Sequence, residues 1–448
     1  MPLKTILYLM MFGTASLGGV VYTPLLGVYA YLVTYNVNPL GQWWGSYLPG
    51  WAYRYSLILG LVTLAGFLVH NRKLRFGRAF FLQEKLLLAF LLVVVLSIFL
   101  GQAGEEVHYN VLKMAKLVGF ILLASHIVTT RKRYEGLLWC FVLSGLFLAM
   151  ELHTGGGVMQ GGRLHAGVGG SDFSEGNFLA AHFGLLLPLL GGLYLLGGWK
   201  AKGLCLVTGV LVANSIVMTR SRGAFLALFV GLVWAVIKSP RLGSHRKRFI
   251  ALMILGLCGA SVLLVDDGFW ERMRTMQADE VDTSAQGRLD AWRGALEMAA
   301  DYPLGVGVGG FFQYIGDYAP SMAGMDTHNT YLRCLAELGV QGAIVLLLLV
   351  LGGFAMLSAI TRQAAALPPG MAEIYRVHAF TAGAAMVIYL TAAVFISSVY
   401  VEEFYWLLML PVFLKRALDN ELADARQAAM PAREAELSAQ LISEEVRI

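Results

Sequence analysis

An all-α polytopic membrane protein is the fold class this sequence predicts, and three observations predict it. Hydrophobic residues make up 57% of the 448 positions and charged residues 14%, against roughly 25% charged in soluble domains. Apolar runs of about 20 residues recur along most of the chain, long enough to cross the hydrocarbon as helices. The polar gaps between those runs alternate between basic and base-poor.

The alternation sets the topology. The basic gaps hold Arg72, Lys73, Arg75 and Arg78, then Arg131 to Arg133, Lys200 and Lys202, Lys238 to Arg248, Arg362 and Arg376, and Lys415 with Arg416. The intervening gaps, near 36–50, 101–110, 152–176, 219–222, 266–330 and 398–400, are poor in Lys and Arg. The positive-inside rule makes the first set cytoplasmic and the second extracytoplasmic. The spans fall at about 5–35, 51–70, 79–100, 111–128, 134–151, 177–197, 203–219, 223–238, 249–265, 332–361, 376–397 and 400–415. This predicts about twelve transmembrane helices with both termini cytoplasmic. The first run is too long for one straight helix and contains Pro24, so it kinks or splits. It lacks an A-x-A-like cleavage signal and reads as a retained helix. Residues 1–416 form the membrane domain, with one large extracytoplasmic loop at about 266–330, and 417–448 form a cytoplasmic tail.

Composition excludes several classes. Cys140, Cys205, Cys258 and Cys334 lie in or beside apolar runs, which argues against a disulfide framework or a zinc cluster. The net charge of +5 sits in short loops and suits a membrane anchor rather than nucleic acid. No cluster has metal-ligand spacing, so no metal and no cofactor is expected. Asp266 and Asp267, Glu402 and Glu403 read as polar ends of membrane helices, and His182 and His378 as packing.

The large loop contains a helix starting at Thr283 or Ser284 and ending near Pro303. Leu289, Trp292, Leu296 and Ala299 or Ala300 give it one apolar face, and Arg288 shares a side with Trp292, four residues on. The string P-L-G-V-G-V-G-G-F, 303–311, allows tight turns. It lacks the strand and βαβ unit of a dinucleotide site.

Three extracytoplasmic positions carry positive charge against the topology signal: Arg163, Arg220 and Arg222. Each is open to a plain reading as an interfacial or solvated arginine. Arg288, His328, Asp326 and Asn329 lie on the same side. Guanidinium groups bind phosphate oxygens bidentately and stay charged, and histidine accepts a proton near neutral pH. The combination suits a transfer in which histidine deprotonates an acceptor hydroxyl and arginines stabilise a departing diphosphate. Outside the cytoplasm the donor would be lipid-linked.

The stretches T-R-S-R-G-A at 219–224, G-R-L-D-A-W at 287–292, D-Y-P-L-G-V-G-V-G-G-F at 301–311 and H-N-T-Y-L-R-C-L-A-E-L-G at 328–339 resemble the O-antigen ligase family. Its superfamily also includes O-antigen polymerases and bacterial O-oligosaccharyltransferases. The resemblance implies a GT-C-like membrane glycosyltransferase, metal-independent and inverting, with an undecaprenyl-diphosphate-linked glycan as donor. The acceptor would be lipid A core, protein or another glycan, at the periplasmic side of a bacterial inner membrane. Arg222 and Arg288 would then hold the diphosphate, with Arg220 and Arg163 beside them, and His328 would be the general base. Asp326, Asn329, Trp292 and Asn177 would support them. A polymerase of the same chemistry, a protein glycosyltransferase and a lipid-linked glycan transporter are the alternative readings.

Overall fold

The computed structural model describes residues 1–70, 80–100, 105–160, 163–173, 175–263 and 283–445. In chain order its helices are α1 (Leu3–Val21), α2 (Leu25–Val37), α3 (Tyr55–His70), α4 (Leu82–Leu96), α5 (Glu105–Ile127), α6 (Arg131–His153), α7 (Gly176–Leu196) and α8 (Trp199–Thr219). Then follow α9 (Arg222–Lys238), α10 (Arg246–Leu263), α11 (Thr283–Asp301), α12 (Phe311–Tyr318), α13 (Thr330–Gln363), α14 (Pro369–Ala392) and α15 (Glu402–Glu445). Between α6 and α7 lies a small antiparallel hairpin of β1 (Val158–Gln160) and β2 (Arg163–Ala166). Nine helical stretches among the described residues are long and apolar enough to cross a membrane. The chain is an all-α polytopic membrane protein.

Sequence pattern explains the two kinds of helix surface. On α3, Leu57, Leu61, Leu64 and Leu68 recur at helical spacing and are all exposed, a lipid-facing stripe in a bilayer. On α7 and α14 small and apolar residues are buried on nearly every side. These two helices pack on each other at the centre of the bundle, with α8 and α9 against them.

Contacts gather the basic gaps on one face. There Arg416 of α15 pairs with Glu84 of α4 at 2.7 Å, His378 of α14 lies 3.3 Å from Glu135 of α6, and Asn420 donates to the Thr129 carbonyl at 2.7 Å. The base-poor gaps meet on the other face, where Asp172 accepts from Tyr35 of α2 at 2.8 Å and from the Glu402 N–H of α15 at 3.3 Å.

The first apolar run, expected to kink or split, splits: it makes an antiparallel pair, α1 and α2. At one end the Thr5 hydroxyl donates to the Trp44 carbonyl (3.1 Å), and at the other His70 Nε2 lies 3.2 Å from the Val21 carbonyl. Lys4 therefore sits on the base-poor face, paired with Glu151 at the end of α6. Arg416, paired with Glu84, lies on the opposite face. The cause is local: Tyr22 and Thr23 both donate to the Gly18 carbonyl, closing α1, and Pro24 then starts α2. Hydropathy does not separate a kinked helix from a hairpin when both arms are apolar. At the other end α15 runs unbroken through 417.

Candidate active site at the base-poor face

The junction of α8 and α9 carries two of the expected arginines. Arg220 closes α8 in the left-handed region, with φ 46°, and its N–H bonds the Val217 carbonyl at 3.0 Å. Ser221 caps α9, its hydroxyl accepting from the Ala224 N–H at 3.4 Å, which makes Arg222 the first helical residue. A cation there opposes the positive end of the helix dipole, and both favour an anion at that spot. Arg163 joins them from the β-hairpin: its Nε donates to the Thr219 carbonyl at 3.1 Å and its Nη2 to Asn177 Oδ1 at 3.0 Å. Arg163 thus joins Asn177 at the start of α7 and fastens the hairpin to the end of α8.

The glycine string has a structural task. Val306 and Gly307 donate to the Ala336 and Glu337 carbonyls, both at 2.9 Å, and Val340 donates back to the Pro303 carbonyl at 3.0 Å. The string clasps a kink in α13 at Gly339, where φ is 67°. A Cβ on Gly339 would lie 2.3 Å from the Leu304 carbonyl carbon, and one on Gly305, with φ 90°, 2.4 Å from the Glu337 carbonyl oxygen. Only glycine fits both places. The clasp fixes the end of α11 against α13.

On α11 the buried face differs from the expected one. Leu289 and Leu296 are exposed, at 48% and 52%, while Ala291, Ala295 and Met298 are buried against Phe311, Ile315 and Met322. The small α12, unforeseen in the sequence, supplies that packing, and small residues on α11 let it approach. Trp292 turns the other way: its Nε1 donates to the Thr327 carbonyl at 3.0 Å, beside His328. Arg288 is one helical turn away on the same side.

His328 occupies the turn into α13 with φ 46°, a left-handed conformation unusual for a residue with a side chain. Its Nδ1 is buried and has no hydrogen-bond partner among the described residues. Asn329 and Asp326 do not support the imidazole directly. Asn329 caps α13, Oδ1 accepting from the Tyr331 and Leu332 N–H groups at 3.0 and 3.1 Å. Asp326 accepts from the Ser397 hydroxyl at 2.8 Å and lies 3.5 Å from Arg333 Nη1. Adjacent side chains in a tight turn point apart, which sequence proximity does not reveal.

Phe395, in the turn after α14, joins the two halves. A Cβ on Gly223 would meet its Cβ at 2.9 Å, so the first turn of α9 packs directly on it. Its ring lies 6.4 Å from that of Trp292. The arginine-bearing junction and the histidine-bearing turn therefore flank one aromatic pair. Asp266 and Asp267 lie outside the described residues.

Sequence reasoning missed a polar network beneath this face. Asp172 accepts from Lys113 of α5 at 2.7 Å as well as from Tyr35, and Tyr31 donates to Glu402 at 3.0 Å. His182 of α7 and Glu403 of α15 form a fully buried pair. Glu403 and His182 are thus held inside the bundle in place of the interfacial and packing roles expected of them. The network ties the segment that carries Arg163 to α2, α5 and α15. Arg333 was also overlooked: it lies 3.2 Å from Glu337 and over the rings of Phe312 and Tyr400. Ionisable residues inside apolar runs, Lys113 among them, were the available signal.

The bundle defines a multi-pass membrane protein whose base-poor face carries Arg163, Arg220, Arg222 and His328. The family model described as O-Antigen ligase matches residues 207–347, less than half of the chain. The matched segment includes the α8–α9 junction, α11, the glycine clasp and His328, and it supports a membrane glycosyltransferase of the ligase or polymerase type. Arg163 and Asn177 precede it. No curated protein matches the chain.

Proposed function

We propose that this protein transfers a glycan from an undecaprenyl-diphosphate carrier to an acceptor hydroxyl, on the periplasmic side of a bacterial inner membrane. The observation that carries this reading is the meeting of the α8–α9 junction with the turn into α13 across Phe395 and Trp292. One side of that meeting offers guanidinium groups and the other an imidazole.

In this reading Arg222 and Arg288 grip the diphosphate, with Arg220 and Arg163 adding positive potential. The bond from the anomeric carbon to the diphosphate oxygen breaks as the acceptor oxygen bonds that carbon from the opposite side, inverting it. His328 takes the acceptor proton, and the arginines stabilise the negative charge left on the carrier. The orphaned Nδ1 favours this role, because a buried ring nitrogen without a partner is costly until a substrate group reaches it. A GT-C-like plan accommodates the chemistry at the membrane rim without a resident metal.

The test is reconstitution of the purified protein with undecaprenyl-diphosphate glycan and a panel of acceptors: lipid A core, glycan and peptide. Transfer to one of them is expected, and His328→Ala is expected to lower it about 10²–10⁴-fold while leaving the protein in the membrane. Undiminished turnover removes His328 as the base. Transfer is also expected to survive EDTA, and chelator-sensitive activity would call for a metal.

A further inference from the structure

A second polar cleft lies on the basic face, away from the site above. It opens between the end of α9, α13 and the start of α14. Arg241, Arg376, Ser358 and Thr361 line it together with Trp234 and Phe354. Along α13 the wall descends from Thr361 to Phe354, about 10 Å at roughly 1.5 Å per residue, so a polar mouth leads to an aromatic floor.

The two arginines come from different elements, Arg241 from the turn after α9 and Arg376 from the second turn of α14. Among the described residues neither has a hydrogen bond or an ion pair. The carboxylate one turn before Arg376, Glu373, is engaged by the Ser244 hydroxyl at 3.0 Å and N–H at 3.3 Å, and lies 3.8 Å from His245. Arg376 also feels the Glu373 carboxylate, but that carboxylate is hydrogen-bonded by Ser244, so the two guanidinium groups at one opening keep donors for a shared anion, and their planar forks match phosphate oxygens. The surroundings say what kind of anion. Val233, Val236 and Ile237 on α9 and Leu351 on α13 are exposed, so the walls of the cleft continue into the surface that meets lipid. A soluble anion has no use for such walls, whereas an amphiphile does.

We propose that this cleft binds the headgroup of an anionic phospholipid from the leaflet on the basic face, one acyl chain lying along Trp234 and Phe354. The guanidinium groups hold the phosphate, and the Ser358 and Thr361 hydroxyls are placed to donate to headgroup oxygens. The site is independent of the glycan-transfer reading.

The purified protein, in detergent, is titrated with phosphatidylglycerol, phosphatidylcholine and inorganic phosphate, and bound lipid is counted by native mass spectrometry. One saturable phosphatidylglycerol is expected, held in preference to phosphatidylcholine. Arg241→Gln, a change at an exposed residue, is expected to weaken it about fivefold, and adding Arg376→Gln about 30-fold in total. Ser358→Phe fills the mouth, keeps both charges and is expected to abolish the bound lipid. Thermal unfolding midpoints are read beside each titration, and the fivefold loss is sought in a variant that unfolds with the wild type. Equal retention of phosphatidylcholine overturns the proposal, as does displacement of the lipid by equimolar inorganic phosphate. Lipid kept by Ser358→Phe would mean diffuse charge attraction, and would overturn it as well.

Discussion

At the residue scale, His328 combines a strained backbone with an unsatisfied ring nitrogen. A left-handed conformation costs a residue with a side chain roughly 1–2 kcal/mol, and strain of this kind persists where the surroundings over-determine it. Here they do: the Thr327 carbonyl accepts from Trp292, its hydroxyl accepts from the Asn329 N–H at 3.0 Å, and Asn329 caps α13. The proposed role of Arg222 depends on geometry as well as charge. Arg222→Lys is expected to lower transfer roughly tenfold or more, because a point charge loses the bidentate hold on a diphosphate; turnover near the wild-type rate would show that charge alone suffices. The arginines were legible in the sequence because each opposes the charge rule that orders the other loops. The partners of Asp326 and Asn329 were not, since they depend on Ser397, 71 residues beyond Asp326, and on side-chain direction in a turn.

At the element scale, the glycine clasp holds the end of α11, the helix that carries Arg288, against α13, the helix that follows His328. Gly339→Ala places a methyl group against the Leu304 backbone at a φ that alanine resists. The conformational part alone is about 1–2 kcal/mol, with the collision added. The variant is expected to unfold at lower temperature and to transfer glycan much more slowly with both arginines and the histidine intact. A wild-type melting profile and rate would mean that the clasp does not position the site. Sequence showed a string suited to tight turns, and it excluded the nucleotide reading by the missing strand. What the string grips is a helix kink some thirty residues on, and only the pairing of Val306, Gly307 and Val340 with α13 and Pro303 reveals it. The exposed Leu289 and Leu296 carry the same lesson: periodicity found an apolar stripe on α11, while small residues on another side made the packed face.

At the scale of the whole molecule, the α1–α2 hairpin places Lys4 with Trp43 and Glu151, on the face opposite Arg416. Cysteines replacing Leu3 and Tyr47 are expected to react with an impermeant maleimide from the same side of the membrane, and one replacing Ala425 from the other. Labelling of positions 3 and 425 from one side would rule the hairpin arrangement out. The same arrangement explains why a buried network of Asp172, Lys113, Tyr35 and Glu402 sits under the base-poor rim. It braces the hairpin segment carrying Arg163 against three helices that are far apart in the chain.

By itself the sequence determined the membrane class, most of the long apolar helices and the alternation of basic and base-poor gaps, because hydropathy and charge act locally and sum along the chain. It also marked the cationic positions and the histidine. Tertiary structure alone decided that the first apolar run folds back on itself, that Phe395 and Trp292 bring the arginine junction beside the histidine turn, and that Glu403 and His182 pair inside the bundle. Those outcomes depend on which helices touch, and contact between distant segments is set by shape complementarity that no local pattern encodes.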